Sequence, residues 1–175
     1  MGWTAHDTDL YALGGGIAMF DRFDSDGLPT GLLDLGNTPA FALTPSIEEK
    51  KHLSTRGATQ KVDLIKNVLL GLMVKFTIDE YDKANLALAL YGTVSGNDII
   101  LLDVNSIEGE LRFYGNPTSG PKLNFYAWKV NIKSTGDIPL INTDWGPISL
   151  EAEIIDDTDN HPDNPNGLIQ QIIGS

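Results

Sequence analysis

The densest group of possible metal ligands in this chain is the carboxylate-rich segment 156–167, in which aspartates and asparagines surround His161. Ca²⁺ prefers hard oxygen ligands of this kind. The spacing does not fit a calcium loop. If Gly167 is the loop glycine, Pro162 falls where the first aspartate is needed and Ile173 falls where a bidentate glutamate is needed. Because Asp and Asn are enriched in turns, a series of solvated turns is the favoured interpretation.

The other candidate chemistry is weaker still. Three histidines, His6, His52 and His161, show no zinc-ligand spacing, and the chain has no cysteine, no nucleophile elbow and no phosphate-binding glycine loop. Carboxylate pairs such as Glu108 and Glu110 lie about 6 to 7 Å apart on a strand, but any β protein supplies such pairs. We therefore expect no enzyme, no catalytic residue, no metal site and no cofactor.

The elements that would position any site are mostly strands. Apolar residues alternate with polar or small ones from Leu70 to Ile78, which predicts a half-buried strand. Acidic residues then open a short helix, Lys83 to Leu90, and Gly92 follows as a left-handed cap. Further short strands are predicted at 98–104, 110–114, 122–133 and 147–155, and Gly14-Gly15-Gly16 is interpreted as a hinge before a first strand. Residues 168–173 form a last apolar strip, which is expected to fray in a monomer or to dock on a neighbour in an assembly.

This pattern predicts one domain, residues 1–175, with a mainly β fold: a small β-sandwich or barrel with one flanking α-helix and a long inter-strand loop. The segment Leu123–Ile132 carries apolar residues on both faces. Its second face is covered either by another subunit or by the helix of the same domain, and a sugar-binding platform of exposed rings is a third interpretation.

Charge and composition exclude several classes of protein. With 12 basic and 24 acidic residues, the net charge of −12 disfavours binding to nucleic acid through phosphate contacts. No apolar run approaches the roughly 20 residues of a membrane helix. The first residues lack the basic and apolar regions of a secretion signal, so we expect a cytoplasmic protein unless an assembly carries it out.

Three stretches carry a family resemblance: Gly36-Asn37-Thr38-Pro39-Ala40-Phe41, the charged run before Ser54-Thr55-Arg56-Gly57, and Phe76-Thr77-Ile78-Asp79-Glu80 followed by Asn85-Leu86-Ala87-Leu88-Ala89-Leu90. In their order they resemble the tail tube proteins of long-tailed bacteriophages. The resemblance implies hexameric rings that stack into a hollow tube, other tail proteins as partners, and viral DNA that passes through the lumen without specific binding. It also implies assembly in the cytoplasm of the bacterial host and a final location in the tail of the virion.

Two sets of site residues follow from this resemblance. The long excursion His52–Asn67 corresponds to a segment that reaches the next ring, which predicts inter-ring contacts by Arg56, Lys61, Asp63 and Lys66.

On the strand 147–155, the polar face formed by Ser149, Glu151 and Glu153 either lines the lumen as a carboxylate band that repels phosphates or meets outside solvent. Two alternatives for the function stay open: the tube of a contractile injection or secretion machine, and a carbohydrate-binding β-sandwich.

Overall fold

The computed structural model of the protein describes residues 10–11, 13–141 and 146–172. Ile173 and the amino-terminal residues 1–9, on which two of the sequence interpretations rest, lie outside these residues. The elements, in chain order, are β1 (Leu13–Arg22), β2 (Leu33–Asp34), β3 (Ala40–Ser54), β4 (Lys61–Ile78), α1 (Lys83–Ala89), β5 (Thr93–Ser95), β6 (Asp98–Ile100), β7 (Glu108–Ser119), β8 (Lys122–Ser134), β9 (Ile148–Ile154) and β10 (Leu168–Ile172).

The strands form one antiparallel sheet of eight strands in the order β2-β1-β7-β8-β9-β4-β3, and β10 pairs with β8 beyond the end of β9. β5 and β6 make a separate hairpin beside α1. The prediction of a mainly β fold with one helix is confirmed. No helix among the described residues has the length and apolar character needed to cross a membrane.

The sheet folds over on itself around one core. Phe41 of β3 stacks on Phe113 of β7 with ring centroids 4.6 Å apart, although four strand-to-strand steps separate these strands in the sheet. Phe76 and Phe125 complete the aromatic group. Within the described residues β3 is not hydrogen-bonded to β1 or β2, so these strands form an open sandwich and not a closed barrel. The fully buried side chains include Val74, Ile78, Ile107, Leu111, Val130, Ile132, Ile148 and Leu150.

Local interactions set both ends of α1: a side-chain hydrogen bond at its start and a left-handed residue after its end. The Asp82 carboxylate accepts a bond from the backbone N–H of Asn85 (2.7 Å), which satisfies one of the free donors of the first turn. At the other end the left-handed residue is Tyr91 (φ 53°), where the sequence predicted Gly92. Gly92 is required for another reason, because a Cβ there would lie 2.6 Å from the carbonyl oxygen of Ile100.

The prediction that Leu123–Ile132 carries apolar residues on both faces is corrected by the structure, because β8 contains a β-bulge. Gly109 pairs with Val130 and Leu111 pairs with Ala127, so two residues of β8 lie opposite the single residue between them on β7. The bulge shifts the alternation by one residue. Phe125, Ala127, Val130 and Ile132 consequently all face the core, while Tyr126 and Trp128 lie half-buried on the other face.

The predicted long loop is also corrected. Most of His52–Asn67 is strand, because β3 and β4 stay paired as far as Ser54 and Lys61 and leave only residues 55–60 as the connection. The proposed hinge Gly14-Gly15-Gly16 is likewise part of β1, paired with Pro117, Asn116 and Gly115. Gly16 is required for close packing, because a Cβ there would clash with the ring of Phe113.

Candidate assembly surfaces

The outer part of the β3–β4 hairpin, residues 46–71, is called the arm here. All its residues are exposed to solvent except Ser54, which is half-buried. The arm carries eight large apolar side chains that are each about half exposed or more: Ile47, Leu53, Val62, Leu64, Ile65, Val68, Leu69 and Leu70. Large exposed apolar patches are typical of interaction sites, and eight half-exposed apolar side chains on one hairpin make the arm a candidate for one.

The predicted inter-ring residues all lie on the arm. Arg56 is in the connection at its tip, and Lys61, Asp63 and Lys66 are on β4. Asp63 pairs with His52 within the arm (Nδ1 to Oδ1 2.6 Å). Among the described residues the three cations form no salt bridge.

Sequence reasoning missed two further arm cations, Lys50 and Lys51. They sit in the charged run just before the predicted excursion His52–Asn67, and the structure places them in β3. They too form no salt bridge with a described residue.

The structure places Ser149, Glu151 and Glu153 together on the solvent-facing side of β9, as their alternation predicted, and buries Ile148, Leu150 and Ala152 on the other side. The two carboxylates are not free, however. Glu151 forms an ion pair with Lys75 (2.9 Å) on β4, and Glu153 forms one with Lys133 (2.8 Å) on β8.

The same pattern extends across the sheet. Glu108 pairs with Lys129 (3.3 Å), and Glu110 accepts two hydrogen bonds from Arg112 (2.7 and 2.9 Å). The hydrogen bond to Glu153 raises the pKa of Lys133 above 10.5, its ordinary value. The bonds to Glu110 hold the pKa of Arg112 above its ordinary range. This face is therefore a mixed-charge surface and not the band of unpaired carboxylates that the sequence suggested.

The carboxylate-rich segment 156–167 is attached to the outer face of β8. His161 stacks on Trp128 with centroids 4.3 Å apart and planes 7° apart, and its Nδ1 lies 2.7 Å from a carboxylate oxygen of Asp157. The indole N–H of Trp128 donates to the backbone carbonyl of Asn164 (2.9 Å). Within the described part of the chain, no group of three or more His, Cys, Asp or Glu residues could hold a metal ion.

This attachment also bears on the sugar-platform interpretation. Trp128 stacks with His161 and also with Tyr126, whose centroid is 5.9 Å away with the two ring planes 21° apart. A sugar ring would need an open aromatic face, and Trp128 already stacks with two rings of this chain. The histidine had been interpreted as a surface residue; only the fold brings it to the indole.

Comparison with known proteins places the chain in a family. The curated proteins include no match to it. The profile of a family described as "Protein of unknown function UCP028589" matches residues 10–99, which is slightly more than half of the chain and includes β1, the whole arm and α1. This protein therefore belongs to the UCP028589 family.

Proposed function

We propose that the protein is a structural subunit of a bacteriophage tail tube, which assembles into hexameric rings that stack into a tube and conduct viral DNA. The observation that carries the proposal is the arm: a long, solvent-exposed hairpin with eight exposed apolar side chains and with cations that form no salt bridge to any residue the structure describes. A monomer gains nothing from this surface, whereas a neighbouring subunit could bury it.

The open edges of the sheet support ring formation. On the described residues β3 has no strand on its outer side, and β2 at the other edge has only two residues. Unpaired edges are templates for pairing with another chain, and a ring in which each sheet continues into the next removes them. The sandwich that stays open in one subunit would then be closed by its neighbours.

The mixed-charge face of the sheet fits a wall past which DNA slides. Each of Lys75, Lys129, Lys133 and Arg112 already holds a carboxylate, so none is free to bind a phosphate. If this face lines the lumen, as proposed for Ser149, Glu151 and Glu153, DNA meets these four cations in ion pairs. Tight binding of DNA needs released counterions and free basic side chains, and the four paired cations are not free.

The proposal also includes partners and location. The subunit would contact other tail proteins at the ends of the tube, assemble in the cytoplasm of the bacterial host and end in the tail of the virion. Because Trp128 already stacks with His161 and Tyr126, we do not propose a carbohydrate-binding domain.

Electron microscopy of negatively stained protein at increasing concentration tests the proposal, with rings and tubes of constant diameter as the expected result. A matched variant removes the arm. Ile47 and Leu70 are direct cross-strand partners, so replacing residues 48–69 with Asn-Gly closes the hairpin by a two-residue turn. This variant should form rings that do not stack. Wild-type protein that stays monomeric at all concentrations and salt conditions would overturn the proposal.

A further inference from the structure

The charges of this protein are divided between two opposite ends of the sheet. β4 runs from the arm to Ile78, and the antiparallel pairings bring the end of β1, the start of β7, the end of β8 and the start of β9 to the same end as Ile78. The segments that connect strands there are 23–32, 79–107 and 135–141, and they are called the acidic end here. The arm projects from the opposite end.

The two ends have charges of opposite sign. The arm holds five cations, Lys50, Lys51, Arg56, Lys61 and Lys66, against three carboxylates, which gives a net charge of +2. The acidic end holds eight carboxylates and one cation, Lys83, which gives a net charge of −7. Arg22, at the end of β1, lies just outside these segments. The eight are Asp24, Asp26, Asp79, Glu80, Asp82, Asp98, Asp103 and Asp137, and all are exposed except the half-buried Asp79.

These charges have no ionic partner within the described part of the subunit. None of the eight carboxylates and none of the five arm cations forms a salt bridge there, although the lysines and glutamates on the face of the sheet are paired. The two sets cannot meet within one molecule, since they lie at opposite ends. Complementary patches of this kind steer and orient association between molecules.

An apolar cleft accompanies the carboxylates. It lies between α1 and the β1–β2 pair, has a volume of about 220 Å³, and is lined mainly by Phe20, Leu33, Leu35, Ala84, Leu88 and Val94. Arg22 also lines it, and its guanidinium donates to the backbone carbonyl of Gly92 (3.0 Å). Asp34 lies at this cleft, and Asp82 caps the helix that forms its wall. On the arm, Leu53 and Val62 are cross-strand partners close to the tip, and each is about half exposed.

We infer that the arm of one copy docks on the acidic end of another copy, with Leu53 and Val62 in this cleft and the arm cations facing the carboxylates around it. The inference rests on the proposed function in that the second copy belongs to the next ring. The contact joins two different surfaces, so a docked pair still has one free arm, on one copy, and one free acidic end, on the other. The array can therefore extend in one direction without limit, and the contact gives it a polarity.

Because the chain contains no cysteine, single cysteines report this contact without background. We would mix Val62→Cys protein with Ala84→Cys protein under mild oxidation; both positions are exposed, so neither change disturbs the core. A disulfide requires Cβ atoms about 3.5–4.5 Å apart and so reports close contact. The matched control pairs Val62→Cys with Thr118→Cys, an exposed residue near the arm end of β7.

We expect a disulfide-linked dimer with Ala84→Cys, its loss at high salt, and none with Thr118→Cys. Reversal of Lys50, Lys51 and Lys61 to Glu should abolish the cross-link, and adding Asp26→Lys, Asp98→Lys and Asp103→Lys to the Ala84→Cys partner should restore it. Tubes without this cross-link, or equal yields with both partners, would overturn the inference and leave the tube proposal intact. The cross-link without rings would support the inference and refute the tube.

Discussion

Replacing Asn85 with alanine should loosen the attachment of α1 to the sheet and so deform the proposed docking cleft. Asn85 is 1% exposed, and its side-chain N–H groups donate to the backbone carbonyls of Leu35 (3.1 Å) and Glu80 (3.0 Å). The bond to Leu35 holds the helix against the chain that follows β2, and the bond to Glu80 fixes the segment that leads into the helix. Alanine keeps the helix propensity but leaves both carbonyls without this donor.

The magnitude follows from the burial of the two carbonyls. The bond to Leu35 is fully buried, so its loss leaves an unsatisfied acceptor at a cost of about 1–3 kcal/mol, while the half-buried bond to Glu80 contributes roughly 0.5–1.5 kcal/mol. The expected loss in the free energy of unfolding is about 1.5–4.5 kcal/mol. For a chain of this length, that corresponds to a melting temperature lower by roughly 3–18 °C.

Urea unfolding of dilute protein, followed by circular dichroism, measures this loss. Asn85→Asp should be at least as destabilising, because a carboxylate has a similar volume but cannot donate to either carbonyl. Asn97→Ala is the control: its side chain accepts only an exposed bond from Lys83, and its loss should cost less than about 0.5 kcal/mol. An Asn85→Ala variant that unfolds at the wild-type urea concentration would show that this amide does not anchor the helix.

Three further predictions follow from the core and the charged surfaces. Phe41→Ala removes the ring that packs β3 against β7 and should lower the free energy of unfolding in urea by about 2–4 kcal/mol. Leu70→Ala, at an exposed position of the same hairpin, should lower it by less than about 0.5 kcal/mol, and equal losses would contradict the stacking role. Glu151→Lys with Glu153→Lys places four cations side by side and should lower the free energy of unfolding by roughly 1–2 kcal/mol, and by more at low salt. If this face lines the lumen, the same variant should also slow DNA ejection at low salt. Normal ejection would place the face on the outside. Arg56→Glu with Lys61→Glu should leave rings intact but stop their stacking, and tubes of normal length by electron microscopy would refute the inter-ring role.

The strands and the helix could be predicted because their signals are local. The alternation between Leu70 and Ile78 reflects one face of β4 against the core, and the acidic residues before Lys83 include the N-cap of α1. The bulge in β8 could not be predicted in this way. It depends on how the neighbouring strand aligns, and on Gly109, where any Cβ would clash with the carbonyl of Asp21.

The arm and the ion pairs were missed for related reasons. A strand pattern arises when one face is buried, and the run Glu48–His52 has no buried face in the subunit, so its sequence shows no strand alternation. The carboxylates Glu151 and Glu153 suggested an acidic band because their partners, Lys75 and Lys133, lie on other strands. Sequence spacing on one strand does not reveal what lies across the sheet.

The arm also links the stability of the subunit to its assembly. A two-stranded hairpin without a covered face is marginally stable in water, so the arm gains most of its stabilisation when a partner covers it. Exposed apolar strands carry a risk of non-specific aggregation, and lysines and bulges along an edge reduce it. The arm has both: its cations are distributed from Lys50 to Lys66, and its register shifts after Glu48 and again after His52. A flat strand from an unrelated chain would pair poorly with this bulged, cationic hairpin, whereas the acidic end of a second copy presents charges of the opposite sign together with an apolar cleft. In the proposed assembly, the cations and bulges that oppose non-specific pairing of the arm are therefore the same features that favour the acidic end as its partner.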